Sequence, residues 1–253
     1  MQTQTVTPQF RTTDARRSIP FYVDGLGFKI DWEHRFEPGF PPFMQLTRAG
    51  QSIFLTEHAG DCQVGGAAYF VVPDVDACYQ EFVARGVVPT EPPADTPGLP
   101  REMVVTDPDG NRLRFATRLS SADDSRAGGL RHVRHGFGSA RPYIHGPLGL
   151  WELVCDAFNA VEVERHEFGP KSFHIEARIG DSTIVLETGD PPHPHGTPGS
   201  IYLYVSDVDS AYRRALERGA TSVETPEDKP YQERSAGVRD SFGNTWYLST
   251  YRG

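Results

Sequence analysis

Little in this chain invites a covalent or metallic staple. It has three cysteines in 253 residues, Cys62, Cys78 and Cys155. The number is odd and no CxxC spacing occurs. That excludes a disulfide framework and a zinc knot, and reads as idle thiols in a reducing compartment. No apolar run approaches the roughly 18 residues a membrane span needs. The opening segment MQTQTVTPQF has no basic region followed by an apolar one, so no secretory signal is visible and a cytoplasmic protein is expected. Basic residues are outnumbered, 25 against 34 acidic, for a net charge of −9. A nucleic-acid binder shows the opposite footprint. No Ser-His-Asp set, activated cysteine or close carboxylate pair stands out as a catalytic constellation.

Cores, by contrast, are well supplied: 38% of residues are hydrophobic and 11% aromatic. One phrase returns. DPDGNRLRFAT at 107–117 reappears as DSFGNTWYLST at 240–250, an offset of 133. The same offset aligns DVDACYQEFVARG (74–86) with DVDSAYRRALERG (207–219). It also pairs Tyr69 with Tyr202 and Arg101 with Arg234, with no gap from Ala67 to Thr117. Upstream the offset becomes 130, matching Gly50 to Gly180 and Glu57 to Glu187. A period this long means duplicated domains, because solenoid repeats run to about 20–50 residues. The boundaries follow as 1–118, a Ser-, Gly-, Arg- and His-rich linker over 119–140, and 141–253.

Each module reads as β-α-β-β-β twice. Asp14, Asp74 and Asp207 are placed to cap helices. Gly86 is the left-handed stop of the second helix. Ala49-Gly50 and Gly180-Asp181 mark hairpins, and Gly110 and Gly243 close the turn of the repeated phrase. Period-two alternation puts Leu113 and Phe115, and Trp246 and Leu248, on helix-packed sides. Arg114, Tyr247, Tyr69, Tyr202, Tyr204, Phe54 and Thr56 then face the other way. Trp32 and His34 alternate along a neighbouring strand.

This order, with FYVDGLGF and MQLTRAGQSIFLTEHAGD in the first module and HIEARIGDSTIVLE and SIYLYVSDVDSAYRRALERGA in the second, resembles the vicinal oxygen chelate superfamily. The first module looks like its bleomycin-resistance-type branch and the second like the branch labelled PhnB-like. The resemblance implies an α+β fold of two modules, each of paired βαβββ units curling a mixed sheet around a cup. Metal-dependent relatives place His or Glu at four cup positions. Counting from fixed marks puts these at Thr7, Phe54, Ala67 and Arg114, and in the copy at Arg141, Ile184, Ser200 and Tyr247. None is a usual ligand, so no cofactor or metal and no catalytic residue is expected.

The expected ligand-binding residues are Trp32, His34, Phe54, Thr56, Tyr69, Arg114, Tyr202, Tyr204 and Tyr247. Arg114 either answers a ligand carboxylate or pairs internally with an acid such as Glu33 or Glu57. His145, His166 and His174 read as satisfied strand histidines. A meeting of these with Glu187 is the one route to an atypical metal site. His193 and His195 read as an exposed turn. Two functions from different classes stay open. One is a small-molecule binder that sequesters a drug-like, aromatic or cationic ligand. The other is a metal-dependent lyase, isomerase or dioxygenase. Either would work as a homodimer or a single-chain pseudo-dimer, away from nucleic acid and membrane.

Overall fold

The computed structural model describes residues 4–95, 100–117, 140–194 and 196–253. The linker expected at 119–140, apart from Ala140, and His195 lie outside the described residues. Four βαβββ repeats follow one another. The first runs β1 (Val6–Arg11), α1 (Ala15–Pro20), β2 (Lys29–His34), β3 (Phe43–Arg48), β4 (Gln51–Thr56). The second runs β5 (Ala67–Val71), α2 (Val75–Ala84), β6 (Glu91–Ala94), β7 (Arg101–Thr106), β8 (Arg112–Thr117). The third runs β9 (Ala140–Pro147), α3 (Gly149–Phe158), β10 (Val161–Gly169), β11 (Ser172–Ile179), β12 (Ser182–Gly189). The fourth runs β13 (Ser200–Tyr204), α4 (Val208–Glu217), β14 (Thr221–Lys229), β15 (Glu233–Arg239), β16 (Thr245–Tyr251). Asp74 and Asp207 cap α2 and α4 as their sequence implies, accepting from Ala77 N at 3.0 Å and Ser210 N at 3.1 Å. Among the described residues no helix is long and apolar enough to cross a membrane.

Two compact units emerge. Unit I is Pro142–Gly253 together with residues 4–9, and unit II is Phe10–Arg141. Within unit I the strand orders are β14-β15-β16-β13-β1 and β10-β11-β12-β9, with β13/β16 and β12/β9 parallel. Within unit II they are β4-β3-β2 and β5-β8-β7-β6, with β5/β8 parallel. The α+β class and the βαβββ order are as expected. Sheet membership differs from the sequence reading, which has both repeats of a module close one sheet: the two repeats of a unit lie in different sheets. Their helix-covered sides meet instead in one core. In unit II it joins Tyr22, Leu26 and Leu46 of the first repeat to Phe70, Phe82 and Phe115 of the second. In unit I it joins Leu153, Phe158 and Ile184 to Leu203, Ala215 and Trp246.

The repeated phrase is the keystone of each unit. Asp107 accepts from Tyr22 OH at 2.8 Å and Asn111 Nδ2 at 2.7 Å. Asn111 also donates to Arg11 O and accepts from Gly65 N and Gly66 N, tying turn, first strand and loop together. In the copy Asp240 accepts from Trp246 Nε1 at 3.1 Å and Asn244 Nδ2 at 2.8 Å, and Asn244 reaches His145 O and Gly199 N. Gly110 and Gly243 take φ of +83° and +103°, which lets the chain double back over the carboxylate.

The exchange of residues 4–9 into unit I is specific. Val6, Thr7 and Pro8 pair antiparallel with Leu203, Tyr202 and Ile201. Thr5 N donates to Asp181 Oδ1 at 2.7 Å and Val6 N to Ser182 Oγ at 3.0 Å. Gly180, at φ +61°, lies so close to the Thr5 side chain that a Cβ there would meet its Oγ1 at 2.5 Å. Only glycine fits both the backbone conformation and the space.

Candidate functional site

The side of β13, β15 and β16 turned away from the core carries the most organised chemistry in unit I. Ile201 and Leu203, Ala236 and Val238, and Trp246 and Leu248 are fully buried on the helix side. Period two therefore sends Tyr202 and Tyr204, Glu233 and Ser235, and Tyr247 and Ser249 the other way. The register sets Tyr202 beside Tyr247, Tyr204 beside Ser249, and Ser235 opposite Ser249. At the centre stands the Glu233 carboxylate. It accepts from Tyr202 OH at 2.6 Å, Ser249 Oγ at 2.5 Å and Tyr204 OH at 3.0 Å. Ser235 lies 3.1 Å behind Ser249. Burial first, and the Glu233 charge second, hold both phenols well above the ordinary tyrosine range, so they stay donors. The Tyr202 and Tyr247 rings stack at 22°, and Tyr202 meets Tyr204 edge-on at 5.4 Å. Among the described residues the carboxylate's partners are hydroxyls, none of them a cation. An anion ringed by aromatic faces is the arrangement that attracts an organic cation.

The third repeat arms its open side differently. Register places His166, His174, Glu187 and His145 in one row and Glu164, Glu176, Val185 and Tyr143 in the next. His174 Nδ1 meets Glu187 Oε1 at 2.7 Å, and its Nε2 lies 4.0 Å from Glu176 Oε1. Tyr143 OH donates to the same Glu187 oxygen. Burial works against the charge on His174, but the two carboxylates outweigh it and push the imidazole up to about 9. Burial likewise opposes ionisation of Glu187, yet its bonds from His174 and Tyr143 hold it below the usual range. The meeting of His174 with Glu187 that the sequence left open is made, as a charged hydrogen bond. Among the described residues no three His, Cys, Asp or Glu side chains converge so as to hold a metal ion.

In unit II, Trp32, Gln45 and Phe54 form one cross-strand row, and His34, Phe43 and Thr56 the next. Trp32 stacks on Phe43 at 5.7 Å and leans on Phe54, with 40% of its surface exposed. Thr56 is a correction. It is fully buried and its hydroxyl donates to Asp61 at 2.5 Å, so it presents nothing outward. Tyr69 lies off the helix-side core, packed with Val71 and Ala116 on the other side of its strand. Arg114 takes the internal option, pairing with Glu102 at 3.0 Å across β7 and β8, while Glu33 binds Arg35 and Glu57 faces the start of α1. The nine predicted residues thus fall into three groups on separate repeats. Glu233, which completes the best of them, escaped the sequence reading, although the alternation of Ala236 and Val238 already points it outward.

A divalent metal of the kind the resemblance implies does not fit the residues at its positions. Phe54 is packed among rings and Arg114 carries a positive charge into the place of a carboxylate. Ile184 is in the core, one residue out of register; its outward neighbour is Val185, opposite Tyr143. A one-residue slip reverses the side a strand residue faces.

Comparison with known proteins agrees with the architecture. A family model described as Glyoxalase superfamily protein matches residues 1–122. One described as Glyoxalase/Bleomycin resistance protein/Dioxygenase superfamily matches residues 153–248. Uncharacterized proteins of Mycobacterium bovis and Mycobacterium tuberculosis are each 38% identical over 109 residues, 38% of this chain. The match covers 71% of the first protein and 64% of the second. Among solved structures, glyoxalase I from Zea mays superposes with a TM-score of 0.69 at 17% identity, covering 97% of this chain and 92% of that one. A putative dioxygenase from Bacillus subtilis gives 0.65 at 17%, covering 96% and 84%. At such identity the two structures speak for the fold alone.

Proposed function

The chain belongs to the glyoxalase/bleomycin resistance protein/dioxygenase superfamily, and from that premise we propose that it is a small-molecule binding protein that sequesters aromatic cations without a metal. The observation that supports this is the Glu233 carboxylate, held by three hydroxyl groups amid tyrosine rings and neutralised by no cation among the described residues. Hydroxyl donors keep the charge in place without cancelling it, and the rings add contact area and cation–π attraction. Trp32 of unit II, 40% exposed and stacked on Phe43 with Phe54 buried beneath, offers a second aromatic platform. The proposal has the chain work in the cytoplasm, where Cys62, Cys78 and Cys155 stay reduced.

Calorimetric titration with 1-methylquinolinium and with neutral quinoline tests the reading. The cation is expected to bind about tenfold tighter, and Glu233→Gln to remove that preference. Equal affinities, or a preference indifferent to Glu233, would sink it. The enzyme alternative has one observation in its favour, the imidazole and carboxylate groups of β9, β11 and β12 on one face. Elemental analysis of protein purified without chelators separates the two: a stoichiometric transition metal favours the enzyme.

A further inference from the structure

Gln9 is the least explained polar residue in unit I. Only 3% of its surface is exposed, yet neither its amide nitrogen nor its amide oxygen has a hydrogen-bond partner. Ser200, 5% exposed, holds its hydroxyl in the same condition. The two are neighbours by register. Thr7 pairs with Tyr202 and Pro8 with Ile201, so the next step along each strand brings Gln9 and Ser200 to the side of the sheet that Tyr202 occupies. A buried amide without partners is costly, and an apolar side chain of the same shape would suit a strand interior better. An amide and a hydroxyl kept there together suit a molecule that brings its own donor and acceptor.

We propose that Gln9 and Ser200 form a hydrogen-bonding subsite beside Tyr202, at the end of the tyrosine face away from Glu233, and that the ligand is an aromatic cation carrying a carboxamide. This deepens the reading given above and rests on it. A carboxamide matches the glutamine amide group for group, its N–H donating to Gln9 Oε1 and its carbonyl accepting from Gln9 Nε2. It adds no negative charge to the side of the sheet that carries Glu233, as a carboxylate would. The rings of Tyr202 and Tyr247 lie on the same side to stack the aromatic part.

The test titrates the full chain with 1-methylnicotinamide and with 1-methylpyridinium, which lacks the carboxamide. Wild type is expected to favour the first by about tenfold, since a site that leaves buried amides unpaired rejects the simpler analogue. Gln9→Met is expected to lose that preference, and Glu233→Gln to weaken both probes. Equal binding of the two probes, or a preference that survives in Gln9→Met, overturns the subsite. If Glu233→Gln still weakens both, the cation reading stands without it. If neither probe binds, subsite and cation reading fall together. A melting curve gives a ligand-free arm. Gln9→Met is expected to raise the midpoint by about 2–4 °C, because the replaced amide has nothing to bond. A lower midpoint would mean the amide serves the fold, and would also overturn the subsite.

Discussion

The second and fourth repeats share a scaffold and differ in how they treat charge. Tyr69 and Tyr202 occupy the same place, and so do Asp107 and Asp240. In the second repeat Arg114 supplies an internal cation to Glu102, while Val71 and Ala116 close over Tyr69. In the fourth, Tyr247 stands where Arg114 does, Tyr204 replaces Val71 and Ser249 replaces Ala116. The carboxylate Glu233 then collects hydroxyls instead of a cation. Duplication thus preserved the turn and the core, whose packing tolerates little change, and let the outward side diverge. One copy pairs its carboxylate with a cation and the other with hydroxyls.

The largest expected effect tests what the copies share. Asp107→Ala and Asp240→Ala each strand a buried donor, Tyr22 OH or Trp246 Nε1, along with an asparagine. Each should lose about 3 kcal/mol in denaturant unfolding. A variant that unfolds like wild type would show that the keystone matters in one copy only. Next comes the difference itself. Tyr247→Arg copies the second repeat's solution into the fourth, and should cost at least about tenfold in 1-methylquinolinium affinity by calorimetry. Undiminished binding would break the comparison.

A pH effect sharpens it for the third repeat. His174 titrates near 9 when folded against 6.5 in its ordinary state. Its stabilisation is therefore complete below about pH 6.5 and fades as pH rises toward 9. Glu187, held low, contributes above about pH 4.5 and loses that contribution as pH falls. The gap in melting temperature between wild type and His174→Gln should narrow from pH 6.5 to 9; a constant gap would deny the charged pair. The smallest effect belongs to Arg114→Tyr. A partly exposed ion pair is worth under about 1 kcal/mol, so its denaturation midpoint should barely move.

Much of this was legible in the sequence because it is local or periodic. Capping aspartates and left-handed glycines lie within a few positions of what they control, and the 133-residue offset is a repetition of letters. Alternation sorted Leu113 from Arg114, and Trp246 from Tyr247, because β-strands have a strict period of two. The partner of Arg114 was not legible, since Glu102, opposite Ala116, reaches it diagonally only through the cross-strand register. Ile184 failed for a related reason: counting across a hairpin accumulates a one-residue error, which reverses the side. Nor does alternation say which repeat buries a given side, so the sharing of cores between repeats in different sheets had to come from the structure.

Residues 4–9 are synthesised about two hundred residues before the strand that receives them, Ser200–Tyr204. Until then that opening segment has no seat, and Thr5 has no Gly180 to rest against. Co-translational completion of unit I must therefore wait until Ser200–Tyr204 has emerged. A fragment beginning at Pro142 would leave one side of β13 bare, an exposed sheet edge ready to recruit a neighbouring molecule.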